Sequence, residues 1–339
     1  MTHTWSEKRA KKAIETRFEE VRSVTIVNYS REMSLENIPV NKAYRMSAAH
    51  LYLDIVNLAD ILRTTQFEGE TCHKRALRFL NQHYRAVHRI LEETDAVRVD
   101  FQNQRLHAIV PKPYGESDES SRVYQAVAIA QLISDVLNET GDEDEHIPNA
   151  KIRVGIDTGR ALVVNNGRRG NRESLFLGSP ANHAAKCASA GEEVGIYLTN
   201  AARAVIGLPG LTNGKERTTA LTNQQIADCQ TEAALNVSKD DIVKSWREEQ
   251  SDTPIGSIEF SRPTPPLCEL DIEQLTASNS RRFDSVSIYA DIDGFTSYID
   301  ANLEDNPETL VRCLHVIRSE LDRVIHTEGW PGFVRNAAT

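Results

Sequence analysis

The 339-residue chain is long enough for about two domains with cores of their own, which excludes a small protein stapled by disulfides. Its formal net charge of −10 argues against a nucleic-acid-coating protein, because that mode needs many basic groups to neutralise phosphates. The five cysteines show no C-x-x-C spacing, and neither a signal peptide nor a membrane-spanning apolar run is found, so we expect a cytoplasmic protein without a membrane partner.

The first half of the chain predicts a lead-in segment and the start of a domain. Residues 1–44 are largely charged and predict a helical lead-in, and a first domain is predicted over 45–207. Within it, HLYLDIVNLADIL (50–62) predicts a strand that ends at an aspartate, and an apolar stripe at helical spacing follows. A hairpin with its return strand at 101–111 and an amphipathic helix over 120–141 are predicted next.

The rest of this first domain alternates strands and helices. KIRVGIDTGRALVV (151–164) predicts a strand that is broken at Gly155 and Gly159. Two passages from a strand into a helix follow, at 175–191 and 195–206. Because the alternation lacks the regular βαβ rhythm of a doubly wound sheet, the sequence predicts the α+β class.

The last 130 residues predict a linker and a second domain. Residues 208–280 are rich in polar residues and predict peripheral elements with an exposed linker. Residues 281–339 predict the start of the second domain, with a helix that begins at Pro307 behind the capping Asn306. The apolar face predicted for this helix consists of Leu310, Leu314, Ile317, Leu321 and Val324.

An internal repeat relates the two predicted domains. The stretch around Asp54 superposes on VSIYADIDGFTSYI (286–299), which places Asp54 on Asp291. Forty-four residues separate Asp54 from Arg98 (98 − 54) and Asp291 from Arg335 (335 − 291), so AVRV and FVRN align at the same spacing. We therefore favour duplication over coincidence.

The motif YADIDGFTSY (289–298) admits three interpretations. A phosphatase motif D-x-D-G-T would need threonine where Phe295 stands, and only 48 residues (339 − 291) follow Asp291. An ordinary polar turn suits Asp and Gly but does not explain the repeat. A two-metal site fits better, because a strand-end Asp291 and the Ile292 carbonyl supply oxygen ligands, and Gly294 lets the chain pass close to phosphate oxygens.

Three motifs in order resemble those of the class III nucleotide cyclases, the adenylate and guanylate cyclase family. YADIDGFTSY resembles F-x-D-I-x-G-F-T, RVGIDTG (153–159) resembles R-x-G-I-x-x-G, and the pattern G-x-x-x-N-x-A-A-K (178–186) resembles G-x-x-V-N-x-A-A-R. The resemblance covers about 45–205 and 285–339. It implies tandem ferredoxin-like (βαββαβ) cyclase domains, with the second one incomplete.

The resemblance also implies the site residues. Two divalent ions, Mn²⁺ or Mg²⁺, would be held by Asp291 and the Ile292 carbonyl, with weaker binding at Asp54. Catalytic roles fall to Asn182 and Lys186, which would face the triphosphate of the nucleotide. Contacts to the substrate are assigned to Phe295, Gly294 and Leu175. The cyclase domains would pair, either within the chain or as a homodimer.

The sequence departs from the family pattern at several of these positions. Asn57 begins the Asn-Leu-Ala that stands where Gly-Phe-Thr is expected in the first copy, and Asn103 falls where a second metal carboxylate is expected. Lys186 replaces the usual arginine, which keeps the charge but loses the bidentate fork. In the second copy the matching carboxylate would fall near residue 340, whereas the sequence given stops at Thr339. Either this form is truncated or the hairpin that completes the metal site is lost, and the sequence as given would then describe an impaired enzyme.

The base specificity is the last prediction. Purine cyclases of this family commonly carry Asp or Cys three residues before the motif glycine, and here that residue is Leu175. The chain looks more like the pyrimidine cyclases of Pycsar antiphage defence, which implies UTP as substrate, cyclic UMP as product and a separate effector that responds to it. Cyclic CMP is the second choice, and an adenylate or guanylate cyclase or an inactive nucleotide-binding or dimerisation module are the alternatives.

Overall fold

The computed structural model describes residues 6–31, 33–165, 174–190, 193–264, 275–276, 278–284, 286 and 291–327. The helices are α1 Glu7–Glu20, α2 Leu58–Leu62, α3 Thr65–Glu68, α4 Glu70–Glu92, α5 Glu119–Leu137, α6 Ser179–Ser189, α7 Asn200–Val205, α8 Asn223–Ala233, α9 Lys239–Asp252, α10 Phe295–Asn302 and α11 Pro307–Thr327. The strands are β1 Thr25–Asn28, β2 Lys42–Ile55, β3 Val97–Gln102, β4 Arg105–Val110, β5 Ile152–Asn165, β6 Ser174–Leu177 and β7 Gly195–Leu198. This mixture of packed strands and helices confirms the α+β class.

The chain divides into two compact units that are each discontinuous in sequence. The first unit comprises Met1–Met46, Ala161–Gly178 and Glu259–Thr339, and the second comprises Ser47–Arg160 and Ser179–Ile258. The sequence predicted domains that are consecutive along the chain, whereas each of these units is built from separated segments. The predicted domain bounds stay a prediction. The FVRN match and the predicted strand immediately before Asp291 lie outside the described residues.

The pairing of the strands in the sheet of the second unit shows which strands lie in its interior. β4 pairs antiparallel with both β3 and β2, which confirms the predicted hairpin, and β7 pairs parallel with β5. The strand order β3-β4-β2-β5 leaves β2 and β5 internal. Both faces of these two strands are largely buried, so they read as nearly continuous apolar runs.

Helix α5 corrects one sequence prediction. It was expected to be amphipathic, but its buried residues lie on all sides of the helix. The reason is that α5 packs against α4 and β4 and is also covered by α8 and α9. Those two covering helices come from the polar stretch predicted to be peripheral, and Ile242, Val243 and Trp246 of α9 belong to the core of the unit.

The first unit has its own smaller core. Its strands are β1, which pairs parallel with the start of β2, and β6, which pairs antiparallel with the end of β5. Leu310 and Leu314 of α11 are buried here, and the helix begins at Pro307, both as predicted. Leu321 was expected on the same buried face but is 51% exposed, so that part of the prediction is wrong.

The helices support the internal repeat. α2 begins four residues after Asp54 (58 − 54), and α10 begins four residues after Asp291 (295 − 291). The long helices α4 and α11 each begin 16 residues after their aspartate (70 − 54 and 307 − 291). Duplication predicts that the elements of the two copies begin at matching positions, whereas a chance resemblance does not.

Strand β5 also differs from its prediction. It runs without a break through Gly155 and Gly159, because glycine at 155 is needed for packing and does not mark a turn. A Cβ atom at Gly155 would collide with the carbonyl oxygen of Ala184 and lie 2.5 Å from the amide nitrogen of Ala188. Gly155 therefore sets how closely α6 can approach the sheet.

We expect Gly155→Ala to destabilise the protein by about 2 kcal/mol, because overpacking a close backbone contact forces α6 away from β5. Urea unfolding measures the change. Gly256→Ala is the control, since an added Cβ there meets nothing within 4 Å. Equal midpoints for Gly155→Ala and the unmodified protein would contradict this explanation of the contact.

Candidate active site

The loop before α10 presents two carboxylates to solvent in the first unit. Asp291 and Asp293 are both exposed, and the Ile292 amide donates to Asp291 Oδ1 at 2.9 Å. The Ile292 carbonyl accepts from the Phe295 amide at 3.1 Å, and Gly294 has a φ of 69°, which favours glycine. The Asp-Ile-Asp-Gly sequence thus folds its own turn and holds the carboxylates at a helix start.

The two apolar residues assigned to the substrate lie in the same unit. Phe295 is half-buried at the first position of α10 and packs against the core formed by residues such as Ile299 and Leu310. Leu175 lies in β6 opposite Val164 and packs against the same core. Their contact with a substrate stays a prediction, as does that of Gly294.

The donors of the Asp291 loop suit a hard divalent cation. Mg²⁺ is commonly held by one or two carboxylates together with substrate phosphates, so a full protein cage is not required. Within the described ranges no group of three or more His, Cys, Asp or Glu side chains could hold a metal ion. Asp291 and Asp293 therefore fit a cation that shares its coordination with a phosphorylated substrate.

Helix α6 of the second unit carries the other two predicted catalytic residues. Asn182 and Lys186 are four residues apart and both exposed, so they are neighbours on one helix face. The opposite face buries Ala184 and Cys187. Lys186 is exposed, and of the residues that the structure describes none forms an ion pair with it.

A buried aspartate lies under the start of α6. Asp157 of β5 is 2% exposed and accepts hydrogen bonds from the Thr199 hydroxyl and from His183 Nδ1, the latter at 3.2 Å. Burial raises the pKa of Asp157, and the hydrogen bonds from Thr199, the Thr158 amide and His183 oppose that shift. Thr199 also accepts from the Ala202 amide as the N-cap of α7. One threonine therefore connects the buried Asp157 to the start of that helix.

A buried arginine holds the other end of α6. The Arg153 Nε donates to the Cys187 carbonyl at 3.0 Å, and a second nitrogen donates to the Arg217 carbonyl. The guanidinium carbon also lies 3.9 Å from the centre of the Tyr197 ring. Such a cation–π contact and two carbonyl acceptors are what a buried guanidinium needs. The arginine of the R-x-G-I-x-x-G motif is therefore a packing residue that fixes α6 to the sheet.

Asp54, the weaker predicted metal ligand, already has a cationic partner. Arg105 grips it through two hydrogen bonds of 2.6 and 2.7 Å, one to each carboxylate oxygen, and a third bond of 2.6 Å reaches the Ser189 hydroxyl of α6. This bidentate pairing occupies the oxygens that a cation would need. The metal role of Asp54 stays a prediction.

We expect Arg105→Met to lower the free energy of unfolding by about 2 kcal/mol, because it leaves the buried Asp54 carboxylate without its partner. The value is below the roughly 3–5 kcal/mol expected for a fully buried pair, since the Arg105 side chain is 42% exposed and partly screened. Adding Asp54→Asn should recover part of the loss, as urea unfolding would show.

Arg63→Met is the matched control, because the Arg63–Asp60 pair is exposed and such pairs contribute little. A loss at Arg105 no larger than at Arg63 would show that the fork does not stabilise the fold.

Sequence reasoning missed the charged partners beneath α6. Arg153 and Asp157 lie inside a quoted motif and His183 lies inside another, yet none was assigned a role. One signal was available: a charged side chain in the middle of an apolar strand is costly unless a partner satisfies it. The identity of the partners, Thr199 and His183, depends on the tertiary structure.

Comparison with known proteins decides the family. Residues 46–225 match the adenylate and guanylate cyclase catalytic domain, which is more than half of the chain. The chain belongs to the adenylate and guanylate cyclase family. The predicted resemblance and the ferredoxin-like cyclase fold are thereby confirmed. Class III cyclases act on nucleoside triphosphates, generally use divalent metal ions and commonly dimerise.

Two curated relatives of this chain are named uridylate cyclase. One, from Pseudomonas aeruginosa, is 54% identical over 330 residues, which cover 97% of this chain and 64% of the relative. The other, from a Rhizobium species, is 33% identical over 305 residues, which cover 84% of this chain and 57% of the relative. The chain thus spans less than two thirds of the length of each.

A solved structure agrees with the fold of this chain. The crystal structure of a class III adenylyl cyclase-like ATP-binding protein from Pseudomonas aeruginosa superposes with a TM-score of 0.91 at 54% identity. The match covers 97% of this chain and 69% of that protein. Among the described helices, none is both long and apolar enough to cross a bilayer.

Proposed function

We propose that the chain is a nucleotide cyclase that converts UTP into 3′,5′-cyclic UMP and pyrophosphate. The observation that carries the proposal is the likeness to two proteins named uridylate cyclase, over 97% and 84% of this chain. Leu175 is consistent with a pyrimidine, because the position lacks the Asp or Cys that the family resemblance ties to purines. Cyclic CMP is the second choice of product.

The reaction is an intramolecular substitution at phosphorus. The ribose 3′-oxygen attacks the α-phosphorus, a new P–O bond closes the ring, the bond to the β-phosphate oxygen breaks, and the 3′-hydroxyl loses its proton. Pyrophosphate leaves with the bonding electron pair. Little covalent chemistry is asked of the protein, so catalysis comes from positioning and electrostatics.

The residues of α6 perform the positioning in this proposal. The exposed Asn182 amide orients the ribose, and the exposed Lys186 ammonium neutralises charge on the transferring phosphate. Lysine acts as a point charge, so it stabilises the transition state without the two-point grip of arginine. Arg153 and Gly155 support both residues, because they fix the distance between α6 and the sheet.

The Asp291 loop is the metal-holding element in this proposal. Its exposed carboxylate and the Ile292 carbonyl would hold Mn²⁺ or Mg²⁺, with Asp293 beside them. When bound, such ions lower the pKa of the attacking hydroxyl and neutralise the triphosphate. Gly294 keeps the loop open to phosphate oxygens, and Phe295 anchors it to the core next to the substrate.

The biological setting follows from the same resemblance. Cyclic UMP made by this protein would act as a second messenger in antiphage defence and trigger a separate effector in the cytoplasm. Cyclase domains would pair within the chain or as a homodimer to complete the site. The net charge of −10 supports the expectation that the partner is a nucleotide and not a nucleic acid.

A second candidate is binding or cyclisation of an adenine nucleotide. One observation favours it: the Pseudomonas aeruginosa protein with a TM-score of 0.91 is described as ATP-binding. The paired Asp54 favours a binding role for the first copy in particular, because its carboxylate is occupied by Arg105.

Incubation with each of the four nucleoside triphosphates and Mn²⁺, followed by mass spectrometry of the products, tests the proposal. We expect cyclic UMP from UTP and much less product from the other three. Cyclic AMP as the main product would favour the second candidate. Binding of a triphosphate without any cyclic product from a folded protein would assign the chain to the non-catalytic modules.

A further inference from the structure

A half-exposed histidine follows Asn182 on helix α6 and has no role in the mechanism described so far. The His183 side chain is 47% exposed, although one of its ring nitrogens reaches the buried Asp157 at 3.2 Å. His183 is three residues from Lys186, so the two side chains are neighbours on the helix surface. A histidine that contacts only solvent would not require a buried carboxylate as its hydrogen-bond partner.

The hydrogen bonds around Asp157 determine the orientation of the imidazole. The carboxylate accepts from the Thr199 hydroxyl and the Thr158 amide, so it acts as an acceptor on both sides. With the carboxylate ionised, His183 Nδ1 is the donor, and Nε2 points away from the carboxylate. A buried carboxylate that fixes one histidine nitrogen leaves the other in a defined position for a ligand.

We propose that His183 is a third nucleotide-binding group on α6, which donates a hydrogen bond from Nε2 to a phosphate oxygen of the nucleoside triphosphate while Asp157 positions the ring. The inference rests on the proposed function, in which Asn182 orients the ribose and Lys186 contacts the phosphates of the same nucleotide. Asp157 is a positioning residue, because its carboxylate is buried and acts through His183.

The charges around α6 determine when this hydrogen bond can form. Asp157 of β5 places a negative charge 3.2 Å from the ring, and Lys186 places a positive charge one turn further along α6. Among the described residues, other charged groups lie toward the far end of the helix: Arg153, Glu216 and Arg217 around Cys187, and the Arg105–Asp54 pair, whose arginine donates to Ser189. A bound triphosphate adds negative charge, so it should draw a proton onto Nε2.

Calorimetric titration with 3′-deoxy-UTP tests the inference without turnover, because this nucleotide lacks the attacking hydroxyl. At pH 8, where an ordinary imidazole is neutral, we expect binding to take up a proton, seen as different binding heats in two buffers with different ionisation enthalpies. His183→Asn should abolish the uptake and weaken binding roughly tenfold, as expected for one lost charge-assisted hydrogen bond. Asp157→Asn should reduce the uptake because the ring loses its ionic partner.

His88→Asn is the matched control, since His88 also lies beside a helix carboxylate, Glu92, at 3.4 Å but on an exposed surface. It should leave affinity and proton uptake unchanged. Unchanged binding and uptake in folded His183→Asn protein would overturn the inference and leave the proposed function intact. If the unmodified protein binds no nucleotide, the proposed function itself is wrong.

Discussion

Replacing Asp291 with asparagine is expected to reduce cyclic UMP formation at least about 100-fold. The reason is that residues supporting a metal ligand from outside the coordination sphere already cost about 10–100-fold, and Asp291 is proposed as a ligand itself. The turn should survive, because the Asn side-chain oxygen can still accept from the Ile292 amide as Asp291 Oδ1 does at 2.9 Å. The loss should come from metal binding, and higher Mn²⁺ concentrations should recover part of it.

The measurement is the initial rate of cyclic UMP formation over a Mn²⁺ titration. Asp300→Asn is the control, because Asp300 is also exposed and lies in α10, away from the Asp-Ile-Asp turn. We expect the control to retain the rate of the unmodified protein. A rate in Asp291→Asn within threefold of that of Asp300→Asn would show that the loop is not the metal-holding element.

Acid is expected to unfold the second unit because it buries three histidines in the neutral form. Burial lowers the pKa of His50 to about 3 and that of His83 to about 4, and it lowers the pKa of His107 well below its usual value. His50 Nδ1 and His107 Nε2 are 3.2 Å apart. The Ala150 amide donates to His83 Nε2 at 3.1 Å, so protonating that nitrogen would break a buried hydrogen bond.

The sign of the effect follows from linkage. An unfolded histidine has a pKa near 6.5, and the folded values are lower, so the unfolded state binds more protons below pH 6.5. The stability from these groups is fully present above pH 6.5 and is lost as the pH falls. Each histidine contributes about 1.4 kcal/mol per pH unit in that window, so all three approach 4 kcal/mol per unit.

Urea unfolding between pH 7.5 and pH 4.5 measures this slope. His50→Phe should lower the slope by about one proton equivalent, whatever its effect on stability at neutral pH. His88→Gln is the surface control, because His88 is 53% exposed and is not part of the buried set. A free energy of unfolding that stays flat down to pH 5 would contradict the burial of neutral histidines.

Local patterns in the sequence predicted the structure well where the cause is local. The helix of Pro307–Thr327 begins where Asn306 and Pro307 indicate, and the Asp-Ile-Asp-Gly turn forms from its own backbone hydrogen bonds. The family was found for a similar reason, because its motifs are short and contiguous. The role of Asp291 is still a prediction that rests on those motifs.

Features that depend on contacts distant in sequence were predicted less well. Gly155 suggested a break in the strand, but its meaning is set by α6, which lies about 30 residues further along the chain and packs on it. The sequence of α5 predicted an amphipathic helix, because its own pattern gives no sign that α8 and α9 cover it. Arg105 was not connected with Asp54, since antiparallel pairing of β2 and β4 brings them together.

Phosphorus NMR of the protein with UTP and Mg²⁺ tests the cyclase proposal most directly, because it identifies which bond breaks. Cyclisation predicts that cyclic UMP and pyrophosphate appear in equal amounts, with no UDP and no inorganic phosphate. UDP with inorganic phosphate as the products would instead show a triphosphatase and would contradict the assignment.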